Sequence, residues 1–418
     1  YDPNGPTFFH AFFQHQFESY CRRFDLMGSV SPRRDDDDGI LSHWDVQMSD
    51  VDWDVETKYS LLRWDDLVIR DLKQPLAWSL AKKMLCDLDA LFSGMFFRLF
   101  RLHWRFGVAS SYPTAGVFLL LFVAMMISGG VAAGLSWLGL PIWIGLTLLV
   151  PLSLGLFLGG YHLLRKKAFL HLLVADTVFS LDHARGKRQD YLQRLDEFAE
   201  RVAAAIEASD DDEFVLVGHS SGSFCIVEIM ARILRRHPNL ARDATPRITM
   251  LTVGSILPLI GCHPKASAFR EDVTRVAEEE SVYWLEYQTP LDFINFPNFD
   301  AGRSLVSSPL HTRQMNPTVH NAHTAESMDP KTYQRDRFNI WRLHFQCIMA
   351  VDQLVPCDYM MIVAGPAHLE LRGSDPNAAL QMCQPDRRWA VDAAALQPLM
   401  PLPPGRQQPM KPVPAAVS

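Results

Sequence analysis

The pentapeptide Gly218-His219-Ser220-Ser221-Gly222 places a serine between two glycines at the spacing G-x-S-x-G. A serine hydroxyl attacks a carbonyl carbon efficiently only when it stands clear of the backbone and faces a general base. A sharp strand-to-helix turn achieves this, and Gly218 and Gly222 allow the close packing that such a turn needs. The backbone N–H of Ser221 then points at the oxyanion that develops during attack. The pattern predicts Ser220 as a nucleophile.

The residues on either side of this pentapeptide have the periodicities that such a turn requires. Residues 214–217 are a continuous apolar and β-branched run, which is typical of a strand buried on both faces. From Ile226 to Leu234 the apolar residues follow a helical period, and Arg235 and Arg236 then precede Pro238. Cations near the carboxyl end of a helix, followed by proline, indicate where the helix ends.

With these flanks the sequence resembles the α/β-hydrolase family, and its pentapeptide resembles the elbow of lipases and esterases. The resemblance covers about residues 170–350 and extends to 1–70. It implies an α/β-hydrolase fold, which is a mostly parallel sheet flanked by helices. It also implies a catalytic triad in the chain order serine, then aspartate or glutamate, then histidine.

The acid of such a triad should follow a parallel strand, because ligand-facing residues collect at the carboxyl edge of these sheets. Residues 247–255 and 281–289 are predicted to be the next two strands, and Asp292 comes directly after the second of them. A carboxylate there would orient the histidine and stabilise its imidazolium form. Asp292 is therefore the predicted acid, and capping of the next turn is the alternative role.

Four of the histidines that follow Asp292 are candidates for the role of general base. His344 lies in segment 332–352, which resembles a segment of membrane-associated bacterial hydrolases in which such a histidine opens the final helix. We therefore predict His344 as the base. His320 and His323, in a polar stretch that looks like a loop, remain the main alternatives, and His311 is the third alternative.

A second oxyanion donor is expected from the loop at the start of the chain. Asp2, Pro3 and Gly5 stand at the positions that type I turns favour, and an amphipathic helix is predicted from Thr7. The resemblance makes Asp2, Asn4 and Gly5 candidates for the oxyanion loop, and an ordinary surface turn is the alternative. Because the first residue is tyrosine rather than methionine, we expect a preceding strand and possible leader to lie before residue 1.

Residues 106–164 contain no Asp, Glu, Lys or Arg over 59 consecutive positions. One membrane-spanning helix needs about 20 apolar residues, so this run predicts two spans, near 113–135 and 142–164, joined by a turn at 136–141. Arg98, Arg101 and Arg105 precede the run, and three basic residues follow it at 165–167. Both ends are therefore predicted to be cytoplasmic in a bacterial-type inner membrane. A hairpin embedded in one leaflet is the alternative.

The composition narrows the class of protein further. A net charge of −7 and a pI near 6.1 give no electrostatic basis for binding nucleic acid. The seven cysteines are scattered without a C-x-x-C pair, which argues against a zinc site or a disulfide framework. No metal or organic cofactor is expected. The last segment, 399–418, is rich in proline and is predicted to be a disordered tail.

Together these observations predict a hydrolase domain from 1–105 and 165–398, interrupted by the transmembrane hairpin at 106–164. The expected function is a membrane-anchored serine hydrolase that cleaves a carboxylic ester or thioester through an acyl-enzyme on Ser220. A lipid-like substrate is plausible because the hairpin would hold the site near the bilayer. The alternative is a catalytically idle hydrolase fold that serves as a membrane scaffold. The sequence leaves the oligomeric state open.

Overall fold

The structure, a computed structural model, describes residues 1–167, 169–306 and 313–406, except the side chains of residues 166 and 167. The chain is a mixed α/β protein that divides into two compact units. Unit 1 comprises Tyr1–Val68 and Ala184–Ser418, and unit 2 comprises Ile69–His183.

The strands of the described residues are β1 (Met27–Val30), β2 (Arg34–Asp35), β3 (Leu41–Asp50), β4 (Trp53–Leu62), β5 (Glu213–His219), β6 (Arg247–Val253), β7 (Val282–Gln288) and β8 (Thr318–Asn321). The α-helices are α1 (Pro6–Phe24), α2 (Asp65–Leu72), α3 (Leu76–Phe92), α4 (Met95–Leu102), α5 (Trp104–Trp137), α6 (Ile142–Lys167), α7 (Leu170–Ala184), α8 (Gln189–Glu207), α9 (Gly222–Arg236), α10 (Leu240–Asp243), α11 (Leu257–Gly261), α12 (Ser267–Glu278), α13 (Ala301–Ser304), α14 (Pro330–Asp336), α15 (Ile340–Phe345), α16 (Tyr359–Ala364), α17 (Leu369–Ser374) and α18 (Pro376–Cys383). Short 3-10 turns lie at Gln346–Ile348, Ala393–Leu396 and Pro404–Arg406.

A parallel sheet in the order β5-β6-β7-β8 forms the centre of unit 1. Every residue of β7 is buried, and so are all but the first residue of β6, as expected for strands covered on both faces. The three strands predicted from the sequence are therefore present, but β5 is only partly buried, because among its residues only Leu216 and Gly218 are fully covered. The fourth, β8, was not predicted, because it is only four residues long and lies in a polar stretch.

A second, antiparallel sheet in unit 1 is built around β3, which pairs with β1, β2 and β4. Trp44, Val46 and Met48 alternate with more exposed residues along β3, so one face of the strand is buried. Phe13 and Phe17 of α1 are buried in the same core cluster. Residues between Ala350 and Cys383, far along the chain, complete that cluster.

Unit 2 contains two helices that are long and apolar enough to cross a membrane, by length and composition. They are α5 and α6, and they pack against each other as an antiparallel pair joined by a turn in which Gly139 has φ +85°. A Cβ at Gly145 of α6 would lie 3.0 Å from the Cβ of Ala132 of α5, so the glycine permits close helix packing. Only 11% and 17% of their most apolar windows are buried, unlike core helices of a soluble domain.

Three boundaries differ from those predicted. Helix α5 begins at Trp104, nine residues before the expected start at 113, and Pro113 is accommodated inside it. Residues 69–105 and 165–183 group with the two apolar helices rather than with unit 1, because long-range packing joins α3, α4 and α7 to them. Residues 399–406, predicted as disordered, are hydrogen-bonded to unit 1 through Leu399 and Arg406. Residues 407–418 lie outside the described residues.

Candidate active site

Ser220 lies at a strained turn between β5, which ends at His219, and α9, which begins at Gly222. Its φ is +54°, in the left-handed region that costs a non-glycine residue on the order of 1–3 kcal/mol. The Ser220 N–H donates to Val253 O at 3.1 Å. The Ser220 carbonyl accepts from Ser223 N at 2.9 Å and from Ser223 Oγ at 2.6 Å. The neighbouring strand and helix therefore hold the turn on both sides.

The two glycines of the pentapeptide have different roles. A Cβ at Gly218 would lie 2.4 Å from Gly222 O and 2.6 Å from Gly222 C, so only glycine fits there without displacing the backbone. A Cβ at Gly222 would meet no described heavy atom within 4 Å beyond its chain neighbours and its own helix. The expectation that Gly222 also allows close packing is therefore wrong, because its Cβ position is open.

Asp292 and His344 form a buried pair, although 52 residues separate them in the chain. His344 Nδ1 lies 2.6 Å from Asp292 Oδ2, and the two side chains are only 2% and 1% exposed. The other carboxylate oxygen, Asp292 Oδ1, accepts from Ile294 N at 2.8 Å. Because a carboxylate accepts, Nδ1 of His344 is the donor, and Nε2 is left with the lone pair that a general base needs.

The protonation of His344 reflects two opposing influences. Burial opposes its positive charge, but the attraction and hydrogen bond of Asp292 outweigh burial and raise the pKa of His344 above its ordinary value. Asp292 follows β7 in a turn closed by its own N–H to Thr289 O at 3.2 Å. His344 lies on α15, whose N-cap Asn339 accepts from Arg342 N at 3.1 Å. Each member of the pair is thus fixed by its local backbone.

Three contacts bring His344 next to the turn of Ser220. His219, the residue before Ser220, has its ring centroid 4.6 Å from that of His344. His219 Nε2–H donates to the His344 carbonyl at 3.0 Å. A Cβ at Gly254, which follows the Val253 acceptor of Ser220, would lie 3.6 Å from His344 Cε1. These contacts place the Asp292–His344 pair beside the turn of Ser220, although no hydrogen bond joins Ser220 Oγ to His344 among the described residues.

The proposed oxyanion donors are placed as follows. The N–H of Ser221, at the N-cap of the 15-residue helix α9, donates to no acceptor among the described residues. The opening segment lies beside the elbow, because the Tyr1 nitrogen is 2.9 Å from Ser221 Oγ. However, the Asn4 N–H already donates to Asp2 Oδ1 at 2.8 Å. Gly5 is the N-cap of α1, and its carbonyl accepts from that helix.

The alternative bases have other partners. His320 lies buried on β8, and its Nε2–H donates to Gly373 O at 2.8 Å. Burial lowers the pKa of His320 to about 4. His323 is also buried, and its Nε2–H donates to Ala395 O at 3.0 Å. The predicted loop is wrong for His320, which lies on a strand, whereas His323 lies in a buried loop after that strand. Among the described contacts neither histidine meets Asp292. His311 lies outside the described residues.

Sequence reasoning missed several residues that support the site. The sequence analysis assigns no role to His219, yet its ring packs on the ring of His344. Burial and the nearby His344 lower the pKa of His219 well below its usual value, so it stays neutral. The support that Ser223 gives to the turn could have been predicted, because a serine in the first turn of a helix commonly hydrogen-bonds to nearby backbone.

Thr289 links the backbone of the acid to the 3-10 turn that follows the helix of the base. Its carbonyl closes the turn of Asp292, and its Oγ1 lies 3.3 Å from Sγ of Cys347, three residues after His344. Thr324 Oγ1 is 2.8 Å from the same hydroxyl. These contacts involve residues that are far apart in sequence, so no local pattern could have found them.

The arrangement of a strained serine, a buried carboxylate and an imidazole with one free lone pair suits proton removal from a hydroxyl and nucleophilic attack. No family model, curated protein or solved structure matches this chain.

Proposed function

We propose that this protein is a serine hydrolase of the α/β-hydrolase type, which cleaves a carboxylic ester or thioester through an acyl-enzyme on Ser220. One observation supports this most strongly: the strained turn of Ser220 lies beside the buried Asp292–His344 pair. Strained backbone conformations and buried, hydrogen-bonded titratable pairs each carry an energetic cost, and they cluster at active sites.

In the proposed mechanism, Ser220 Oγ attacks the carbonyl carbon while His344 Nε2 takes its proton. His344 then returns this proton to the leaving alcohol or thiol, and water hydrolyses the acyl-enzyme by the same route. Asp292 keeps Nδ1 protonated and stabilises the imidazolium that forms. The N–H of Ser221 and the dipole of α9 stabilise the oxyanion, and Gly5 or Asp2 in the opening segment supplies the second donor.

We propose further that α5 and α6 anchor the protein in a bacterial-type inner membrane as a two-span hairpin. Their length, hydropathy and low burial support this reading. The basic residues that flank the charge-free run, at 98, 101, 105 and 165–167, favour a cytoplasmic location for both ends and therefore for Ser220. An anchored site samples substrates at the membrane surface, so an acyl ester with a lipid-like chain is the proposed substrate class.

A fluorophosphonate probe tests the nucleophile, because it forms a covalent bond only with an activated serine. The wild-type protein should be labelled, and Ser220→Ala should lose labelling and short-chain ester hydrolysis while it stays folded. Ser374→Ala is the matched control, since Ser374 is an exposed serine on α17 and should leave labelling unchanged. His344→Ala should lose as much rate as Ser220→Ala, because triad members act as a unit.

A folded wild-type protein that resists the probe would favour the alternative of a catalytically idle membrane scaffold. Labelling that persists in Ser220→Ala would move the nucleophile elsewhere in the chain. Folding of each variant is checked by circular dichroism and thermal melting, so that loss of labelling is not confused with loss of structure.

A further inference from the structure

Helix α3 has its polarity reversed relative to an ordinary surface helix. Its exposed side is apolar, with Leu85 and Phe92 66% and 83% exposed and with Trp78 and Leu88 on the same side. Its buried side includes Lys83, which is only 3% exposed. An amphipathic helix in water buries its apolar stripe and exposes its charges. The reversed pattern indicates that the environment outside α3 is apolar.

Specific contacts hold the polar side of α3 against the rest of unit 2. Lys83 Nζ donates to Thr114 Oγ1 of α5 at 2.8 Å and also pairs with Asp87. Thr114 Oγ1 in turn donates to Asp87 Oδ2 at 2.5 Å. Lys82 Nζ lies 2.5 Å from Asp182 Oδ2 of α7. These contacts fix the rotation of α3, so its apolar side is presented outward as part of the built structure.

Helix α4 continues the same surface toward the candidate span α5. Phe97 and Leu102 are exposed on α4, and Arg98 and Arg101 lie on the same exposed side. Only His103 separates α4 from α5, which opens with the exposed Trp104. Aromatic and apolar side chains interleaved with arginine are typical of the boundary between acyl chains and headgroups.

We propose that α3 and α4 lie along one leaflet of the membrane, at the open end of the hairpin, with their exposed apolar side among the acyl chains. This inference rests on the proposed membrane location of α5 and α6. We choose the bilayer as the occupant of this surface because α5 begins one residue after α4 ends. If α5 enters the membrane, α4 must lie at the membrane boundary. Arg98 and Arg101 then reach the phosphate groups of anionic lipids.

The proposal is tested with nitroxide spin labels on cysteines introduced at Leu85 and Phe97. The full-length protein with Cys262→Ser is used, because Cys262 is the partly exposed one of the seven cysteines and the other six are buried. The protein is reconstituted in vesicles of phosphatidylcholine and phosphatidylglycerol. Collision rates are measured with oxygen, which concentrates in the bilayer, and with a water-soluble nickel chelate. Val51→Cys, in an exposed turn of unit 1, is the aqueous reference, and Leu146→Cys on α6 is the membrane reference.

Labels at Leu85 and Phe97 should collide more with oxygen than with nickel, and so resemble the label at Leu146. Labels at both positions that behave like the one at Val51, while Leu146 reports lipid, would overturn this inference and leave the hairpin intact. Nickel access at Leu146 would overturn both proposals. Protection from both reagents with spin–spin broadening would assign the surface to a second copy of the chain instead. Leu88→Cys provides a second probe of α3 if Leu85→Cys fails to fold.

Discussion

The structure makes the two glycines of the elbow unequal, and this difference can be tested by substituting each with alanine. At Gly218 a Cβ would lie 2.4 Å from Gly222 O, whereas ordinary van der Waals contact begins at 3.4 Å. The backbone of the elbow must therefore move by about 1 Å. Overpacking of this kind typically lowers the free energy of unfolding by about 1–3 kcal/mol. A displacement of about 1 Å at a reacting group lowers the rate on the order of 100-fold.

The assay is the second-order rate of fluorophosphonate labelling at Ser220, with the rate of short-chain ester hydrolysis as a second readout. Gly218→Ala should be about 100-fold slower than wild type in both, with a lowered melting temperature. Gly222→Ala should retain labelling close to wild type, because its new Cβ meets open space and alanine favours a helix. Equal losses in the two variants, or wild-type labelling by Gly218→Ala, would refute the reasoning.

Three further predictions concern charge and topology. Asp292→Asn keeps the size of the side chain but removes the charge that raises the pKa of His344, so kcat/KM should fall about 10⁴-fold. The acid limb of the pH–rate profile should also move to lower pH, and a limb that stays in place would contradict this. Burial raises the pKa of Glu286 on β7 to about 8 from 4.5, so the folded state holds a proton that the unfolded chain releases. Stability should therefore fall as pH rises from about 4.5 to 8, by up to about 1.4 kcal/mol per pH unit, and Glu286→Gln should flatten this slope in thermal melts. Reporter fusions after residue 105 and at the carboxyl end should both report the cytoplasm, and opposite locations would exclude a two-span hairpin.

Three strands of the parallel sheet were predictable because the signal for each lies within a short stretch of the sequence. Strands β6 and β7 are buried on both faces and β5 is partly buried, and all three appear as apolar runs in the sequence. Strand β8 was not predicted because four residues are too few to show a strand periodicity. The full extent of unit 2 was not predicted, for a different reason. The hydrogen bond from Lys83 to Thr114, for example, joins residues of two helices that are 31 positions apart in the chain. A hydropathy pattern cannot predict such a contact.

The candidate site was predictable only in part. Ser220 was found because its chemistry and its elbow occupy one short stretch of sequence. The pairing of Asp292 with His344 spans 52 residues, and its selection needed a resemblance to a known family rather than a local pattern. The pattern G-x-S-x-G treats its glycines alike, yet only Gly218 faces a close backbone contact.

The composition of the core around α1 and β3 has a consequence for how the chain is made. The cluster members between Phe13 and Met48 are buried against residues from Ala350 onward, so about 300 residues separate the two halves of this core. At roughly 5–20 residues per second, the first half waits about 15 to 60 s for the second. During that interval the very apolar α5 and α6 emerge from the ribosome. Because this first half lacks its packing partner until then, ribosomes stalled before Ala350 should display the amino-terminal segment unfolded and protease-sensitive.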